Sequence, residues 1–293
     1  MKTALIIGVD SVIGYALHKE LVIAGWAVFG TTRRKECVKN NIIYLDLSTV
    51  VAFSFRHDVQ TVFLCASITK VANCRDNEAY AKLINHDAQI ILANYFLEYG
   101  VHVIFLSTHA VFSGQKPAYR IDEPLCPITV YGKHKAMVEQ ELQKMPGKIS
   151  IVRLSKVLTG DYPLIIRWIK ALCCCECIAP FYDLSLCPIS LEIVTYCLKE
   201  IAERTLTGII HLSGEKDVSY LDLATYLVDV LNVSRRLIVS CSAVNAGVLP
   251  AEMPLYASLD VGVSKRLFCL SDLSLVSVLK NIIVTHSICS QGL

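Results

Sequence analysis

Along the first half of the chain, short apolar runs alternate with longer segments in which apolar residues recur every three or four positions. The short runs are Ala4–Gly8, Ala27–Thr31, Ile42–Leu45, Thr61–Leu64, Val101–Ser107 and Ile149–Leu154. They are rich in Val, Ile, Leu and Phe and lack strict alternation, as strands do when both sheet faces are covered. Ile13–Ala24, Glu78–Tyr99 and Val130–Lys144 carry the helical period between them. Repeated strand–helix–strand units predict an α/β fold, a doubly wound parallel sheet with right-handed crossovers. Past about residue 155 the rhythm changes, with Pro163, Pro180, Pro188, Pro250 and Pro254 in less regular stretches. One more strand (Gly208–Leu212) and helices at Tyr220–Leu231 and Asp272–Ile283 are expected there. The expectation is a first domain over 1–155 and a smaller C-terminal lobe over 156–293, with strand 208–212 returning to the sheet.

Composition narrows the class. The 293 residues are 54% hydrophobic and 18% charged, and 28 Lys and Arg against 26 Asp and Glu leave a net charge of +2. That length buries a core without staples, and so balanced a charge argues against a nucleic-acid partner or an acidic membrane surface. The mean hydropathy of +0.49 raises the question of a membrane span. The longest stretch free of Asp, Glu, Lys and Arg is Tyr99–Gln115, which holds His102, Ser107, Thr108, His109 and Ser113. It is too polar to span. Met1-Lys2 before Ala4–Val9 superficially resembles a secretory leader, but Asp10 interrupts the apolar run, so a cytoplasmic protein is expected. In that compartment the 13 cysteines should be reduced thiols packed as small hydrophobes. Cys173, Cys174, Cys175 and Cys177 include one C-x-x-C spacing, but no second pair lies nearby, so no metal is expected and a buried helix end is the reading.

The first strand runs into Gly8-Val9-Asp10-Ser11-Val12-Ile13-Gly14 and then a helix. A strand, a glycine turn and a helix N-terminus form the context of a dinucleotide-binding fingerprint. Gly8 permits the tight turn, Gly14 permits close helix–strand packing, and Ser11 stands where a middle glycine is usual. The second strand ends in Gly30-Thr31-Thr32-Arg33-Arg34, where a free 2′-hydroxyl normally meets Asp or Glu. No carboxylate ends this strand, and guanidinium groups suit the 2′-phosphate of NADP, so NADPH is the expected cofactor over NADH. Asp46 and Leu47 after the third strand are placed at the adenine, and Cys65-Ala66-Ser67 after the fourth beside pyrophosphate and ribose.

Tyr131 and Lys135 share one face of a predicted helix, and Ser107-Thr108 end a predicted strand 23 residues before Tyr131. Reducing a ketone needs a hydride on carbon and a proton on oxygen. A tyrosine can donate that proton, a nearby lysine ammonium favours its phenolate, and a hydroxyl from Thr108 or Ser107 can hold the carbonyl oxygen.

With these residues in order, the chain resembles an extended short-chain dehydrogenase/reductase and is similar to the dTDP-4-dehydrorhamnose reductase family of nucleotide-sugar enzymes. The matching stretches are Gly8–Gly14, Phe105–Gly114, Asp122-Glu123-Pro124 through Tyr131–Lys135, Ile151–Ser155, Gly208–Gly214 and Ser258–Asp260 before Ser264-Lys265. The resemblance implies a Rossmann domain for NAD(P)H, a smaller lobe for a sugar nucleotide, and reduction of a 4-keto sugar. Thr108, Tyr131 and Lys135 would then be the Ser/Thr–Tyr–Lys triad. The family's aromatic pair after Arg153-Leu154-Ser155 is replaced by Lys156–Gly160, and Asp161–Cys177 departs from its pattern.

The leading expectation is an NADPH-dependent reductase, or epimerase/reductase, of a nucleotide-linked keto-deoxysugar serving polysaccharide or glycoconjugate synthesis. A 4-epimerase or dehydratase is an alternative. His109 stands where dehydratases tend to carry an acid, and Arg33-Arg34 disfavour the NAD that epimerases usually retain. A third reading is a regulatory subunit that binds NADP and a partner protein without turnover. A homodimer is expected only by analogy with extended relatives.

Overall fold

The computed structural model describes residues 1–55 and 58–287, so the last residues of the expected C-terminal lobe, 288–293, lie outside the described residues. The strands, in chain order, are β1 (Thr3–Ile7), β2 (Ala27–Thr32), β3 (Ile42–Tyr44), β4 (Thr61–Leu64), β5 (His102–Thr108), β6 (Ile149–Leu154), β7 (Lys156–Leu158), β8 (Ser185–Leu186), β9 (Pro188–Ser190), β10 (Gly208–Leu212) and β11 (Val218–Ser219). The helices are α1 (Val12–Ile23), α2 (Val71–Asp76), α3 (Glu78–Lys82), α4 (Ala88–Glu98), α5 (Val130–Leu142), α6 (Pro163–Cys173), α7 (Leu191–Glu203), α8 (Tyr220–Val230), α9 (Gly262–Leu267) and α10 (Leu275–Ser287).

A seven-stranded sheet runs in the order β10-β6-β5-β4-β1-β2-β3. β1 pairs in parallel with both β2 and β4, and β4–β5 and β5–β6 continue the parallel ladder. Strand order therefore reverses at β1, and ligands of such sheets bind beyond the carboxyl ends at that point. β5 is buried along its whole length, polar His102, Ser107 and Thr108 included, as a strand covered on both faces is. Leu5, Val62, Val103 and Ile151 from the sheet pack with Leu92, Phe96 and Leu142 from α4 and α5 in one core.

The chain forms two compact units. The first holds Met1–Phe112, Pro124–Leu154 and Glu192–His211, and the second holds Ser113–Glu123, Ser155–Leu191 and Leu212–Leu293. Relative to a cut near residue 155, Ser113–Glu123 goes with the second unit, and Glu192–His211, which holds most of the strand expected to return to the sheet, goes with the first. The core of the second unit collects Ile165, Trp168, Ile169 and Leu172 from α6, Leu223 and Leu227 from α8, and Leu279 from α10. No helix among the described residues is long and apolar enough to cross a membrane.

Two departures from the sequence reading have plain causes. The helix expected over Glu78–Tyr99 is broken by a π-helical turn at Leu83–Asp87. That wider turn is where Asn85 leaves the helix to accept from the Ile68 amide at 2.7 Å and donate to the Ile68 carbonyl at 2.8 Å. α6 was hidden by Pro163, which sits in its first turn, where its missing N–H costs no helical bond.

Candidate active site

The glycine turn closes tightly on its neighbours. Gly8 has φ +87°, and a Cβ there would lie 2.6 Å from the Ala66 Cβ. A Cβ on Gly14 would meet the Gly8 carbonyl at 2.3 Å. Ser11, in place of the middle glycine, caps α1: its hydroxyl accepts from the Gly14 amide at 3.1 Å and donates to the Gly8 carbonyl at 2.8 Å. The hydroxyl thus stitches the turn to the helix it starts.

Beside this turn lies a cavity of about 700 Å³ lined by Gly8, Ser11, Thr32, Arg33, Arg34, Asp46, Leu47, Ala66 and Ser67, all expected from the sequence. Val12, Ile13, Gly14 and Cys65, also expected, are not part of that lining. Val12 is exposed and Ile13 half-buried on the first turn of α1, and burial pushes the Cys65 thiol up to about 12, against the opposing charge of Lys135. Asp46 caps a short helical turn, accepting from the Ser48 amide at 2.9 Å and the Ser48 hydroxyl at 2.7 Å. Those bonds, helped by the Arg33 charge, hold its carboxyl below the usual range. The cradle without room for side chains, the cavity size and the two arginines fit a dinucleotide.

Sequence reasoning missed several lining residues. Lys70, Asn73, Asn77, Tyr80 and Ile84 share the cavity wall. Lys70 and Asn77 flank α2, Asn73 is on it, and Tyr80 and Ile84 follow on α3 and the π-helical turn, so no single helical period marked them in the sequence. Asp10 was also missed, because a carboxylate was sought after β2 and not inside the turn. Its Oδ2 accepts from the Thr32 hydroxyl at 3.2 Å and lies 3.5 Å from Arg34 Nε. A carboxylate thus reaches the end of β2 from the glycine turn rather than from the strand itself.

The expected triad assembles at the carboxyl end of β5. Thr129 caps α5 by accepting from the Gly132 amide at 3.0 Å. A Cβ on Gly132 would lie 2.0 Å from the Ala110 carbonyl, so only glycine lets α5 come this near to the end of β5. The approach brings the Tyr131 phenol beside the Thr108 hydroxyl, which accepts from the Ala110 amide at 3.1 Å. Burial pushes the phenol up, a nearby Cys74 adds to that, and the neighbouring Thr108 hydroxyl opposes it. One turn along α5, Lys135 is fully buried, donates to the Leu106 carbonyl at 2.8 Å and lies 4.5 Å from the Phe105 ring centroid. Burial pushes its ammonium down to about 8, against the opposing charges of Cys65, Glu139 and Cys74.

Ser107, expected beside Thr108 as a second carbonyl donor, has another partner. Adjacent strand residues face opposite ways, and the Ser107 hydroxyl donates to the carboxylate of Glu139, one turn beyond Lys135 on α5. Arg153 Nη2 donates to the same carboxylate at 2.7 Å, and both partners are nearly inaccessible. Ser107 thus belongs to the support of α5.

The cysteine expectation also needs correction. Cys74, Cys187 and Cys197 are buried, but Cys173, Cys174, Cys175 and Cys177 are exposed. α6 turns Ile165, Trp168, Ile169 and Leu172 inward, and the chain leaves it through Cys175 at φ +59°. No group of three or more His, Cys, Asp or Glu among the described residues could hold a metal ion.

Comparison with known proteins agrees with this architecture. A Haloferax volcanii protein named "Probable low-salt glycan biosynthesis reductase Agl14" is 26% identical over 270 residues, 88% of this chain and 89% of that protein. Methionine adenosyltransferase 2 subunit beta of Xenopus laevis is 24% identical, over 79% of this chain and 73% of that protein. The crystal structure of dTDP-4-dehydrorhamnose reductase from Bacillus anthracis in complex with NADP superposes with a TM-score of 0.80 at 20% identity, covering 97% of this chain and all of that one. The family described as RmlD substrate binding domain matches residues 1–286, and the chain belongs to it.

Proposed function

We propose that this protein is an NADPH-dependent reductase, or epimerase/reductase, of a nucleotide-linked 4-keto-deoxysugar, acting in the cytoplasm in polysaccharide or glycoconjugate synthesis. The observation that carries the reading is the meeting of Thr108, Tyr131 and Lys135 on β5 and α5, in the unit that also holds the dinucleotide-sized cavity. The second unit would then bind the sugar nucleotide, and the protein would work as a homodimer.

The bound nicotinamide cofactor would supply the hydride for the carbonyl carbon. The protein supplies the proton and the geometry. Tyr131, a phenol, is protonated at neutral pH, and burial disfavours its phenolate further, so its hydroxyl is ready to donate. Thr108 fixes the direction of that hydroxyl and offers a second hydrogen bond to the same oxygen. Lys135 holds its charge in a buried position, where it opposes charge build-up on Tyr131 after proton loss and can hold the ribose. Arg33 and Arg34 offer two cations to a 2′-phosphate.

The test is loss of reduced-nicotinamide absorbance with a panel of 4-keto sugars on UDP, dTDP, GDP and CDP. Turnover of one of them, faster with NADPH than with NADH, is the expected result. A second reading has its own support in the likeness to methionine adenosyltransferase subunits: a regulatory subunit that binds NADP. It replaces the first if no sugar turns over while a partner is retained equally by the parent protein and by Tyr131→Phe.

A further inference from the structure

Where β2 ends, the cavity is lined by the carboxylates of Asp10 and Asp46 and the guanidinium groups of Arg33 and Arg34, and the two carboxylates are not equivalent. Asp46 is engaged from within its own turn, with two bonds from Ser48. Asp10 reaches across from the glycine turn to the end of β2. It accepts from the Thr32 hydroxyl and lies within ion-pair distance of Arg34, whose own amide donates to the same Thr32 hydroxyl at 3.0 Å. Arg34 is 61% exposed and Asp10 28%, so the pair stands at the mouth of the cavity, where an entering group meets both.

We infer that Asp10 sets the choice between the two nicotinamide cofactors, by competing with a 2′-phosphate for Arg34 and by offering its carboxylate to a 2′-hydroxyl. The inference deepens the reductase reading and rests on its nicotinamide site. A 2′-phosphate brings negative charge to a place that already holds a carboxylate, and Arg34 must leave Asp10 to meet it. A 2′-hydroxyl has the opposite need, since it donates to a carboxylate without displacing a charge. Thr32 fixes the Asp10 carboxylate for that role. The two arginines therefore favour NADPH less than their number suggests, and Asp10 supplies the counterweight.

Dissociation constants for NADPH and NADH, measured by fluorescence titration without any sugar, test this in the parent protein, Asp10→Asn, Arg34→Ala and the double variant. Asp10→Asn keeps a hydrogen-bonding side chain at an accessible position. It is expected to tighten NADPH about three- to tenfold by releasing Arg34, and to weaken NADH about tenfold by removing a charged acceptor. Arg34→Ala should then weaken NADPH more in the Asp10→Asn background than in the parent. Thr32→Val, which leaves the carboxylate but removes its anchor, should move the ratio the same way by a smaller factor. If Asp10→Asn leaves the ratio of the two constants unchanged, or weakens both cofactors equally, the inference is overturned. That result is distinct from failure of the reductase reading, in which neither cofactor binds the parent or no sugar turns over.

Discussion

Helices α5 and α6 are of similar length and each buries one face, but they follow different rules. α6 is simply amphipathic: Ile165, Trp168, Ile169 and Leu172 go in, while Arg167, Lys170 and Cys173 stay out. α5 takes His134, Lys135 and Glu139 inside along with Ala136, Val138 and Leu142. A buried charge needs a partner, and each charge on α5 has one: the Leu106 carbonyl for Lys135, Arg153 and Ser107 for Glu139. The difference teaches where to look for chemistry. A helix that obeys patterning holds the fold together, and one that violates it with buried, paired charges has been given another task.

The sharpest way to break this comparison is at Tyr131. Tyr131→Phe keeps the ring and should lower single-turnover rates by about 10²–10⁴, with NADPH binding nearly unchanged. Full activity of this variant in rapid-quench experiments would remove the triad assignment. Beneath it, Glu139→Ala leaves Arg153 buried without its counter-ion and should cost about 3–5 kcal/mol in denaturant unfolding. A loss below about 1 kcal/mol would mean that α5 does not depend on the pair.

Lys135 gives a test by pH. Its amine is held near 8 in the folded protein against 10.5 when free, so between those values the unfolded chain binds more protons and stability should rise with pH. The rise is about 3 kcal/mol across that window, and Lys135→Met should flatten it. The variant should also weaken cofactor binding below pH 8, where the parent carries the charge. A pH–stability curve identical in parent and variant would show that this amine is not the group that titrates.

Smaller effects follow on the surface. Arg33→Ala should narrow the proposed NADPH preference by about 1.5–3 kcal/mol, as a lost charge-assisted contact does, which titration with both cofactors would read. Just past the end of α6 the contrast predicts near indifference. Cys174→Ser with Cys177→Ser should change stability by no more than about 0.5 kcal/mol and leave turnover alone, since both thiols are exposed. Stoichiometric zinc in the purified parent, lost in that double variant, would give this end of α6 a role beyond packing.

The sequence by itself determined most of the first unit. Short β-branched runs could only be covered parallel strands, and Gly8, Gly14 and the Tyr131–Lys135 spacing carried their meaning locally. Each of these signals depends on neighbours within a few residues, which is why it survives in one dimension. The tertiary structure decided what depends on residues distant in sequence. Gly132 matters because the Ala110 carbonyl lies against it, and Ser107 was turned from substrate donor to support by Glu139, 32 residues on. Asp10 gained its significance from β2, to which it is joined only through space. The exposure of the cysteine cluster was decided the same way, because hydrophobicity alone assigned those thiols inward. Trp168 and Leu172 take the inner face of α6 and leave Cys173 outside, and the chain turns away past its end with Cys174, Cys175 and Cys177 exposed.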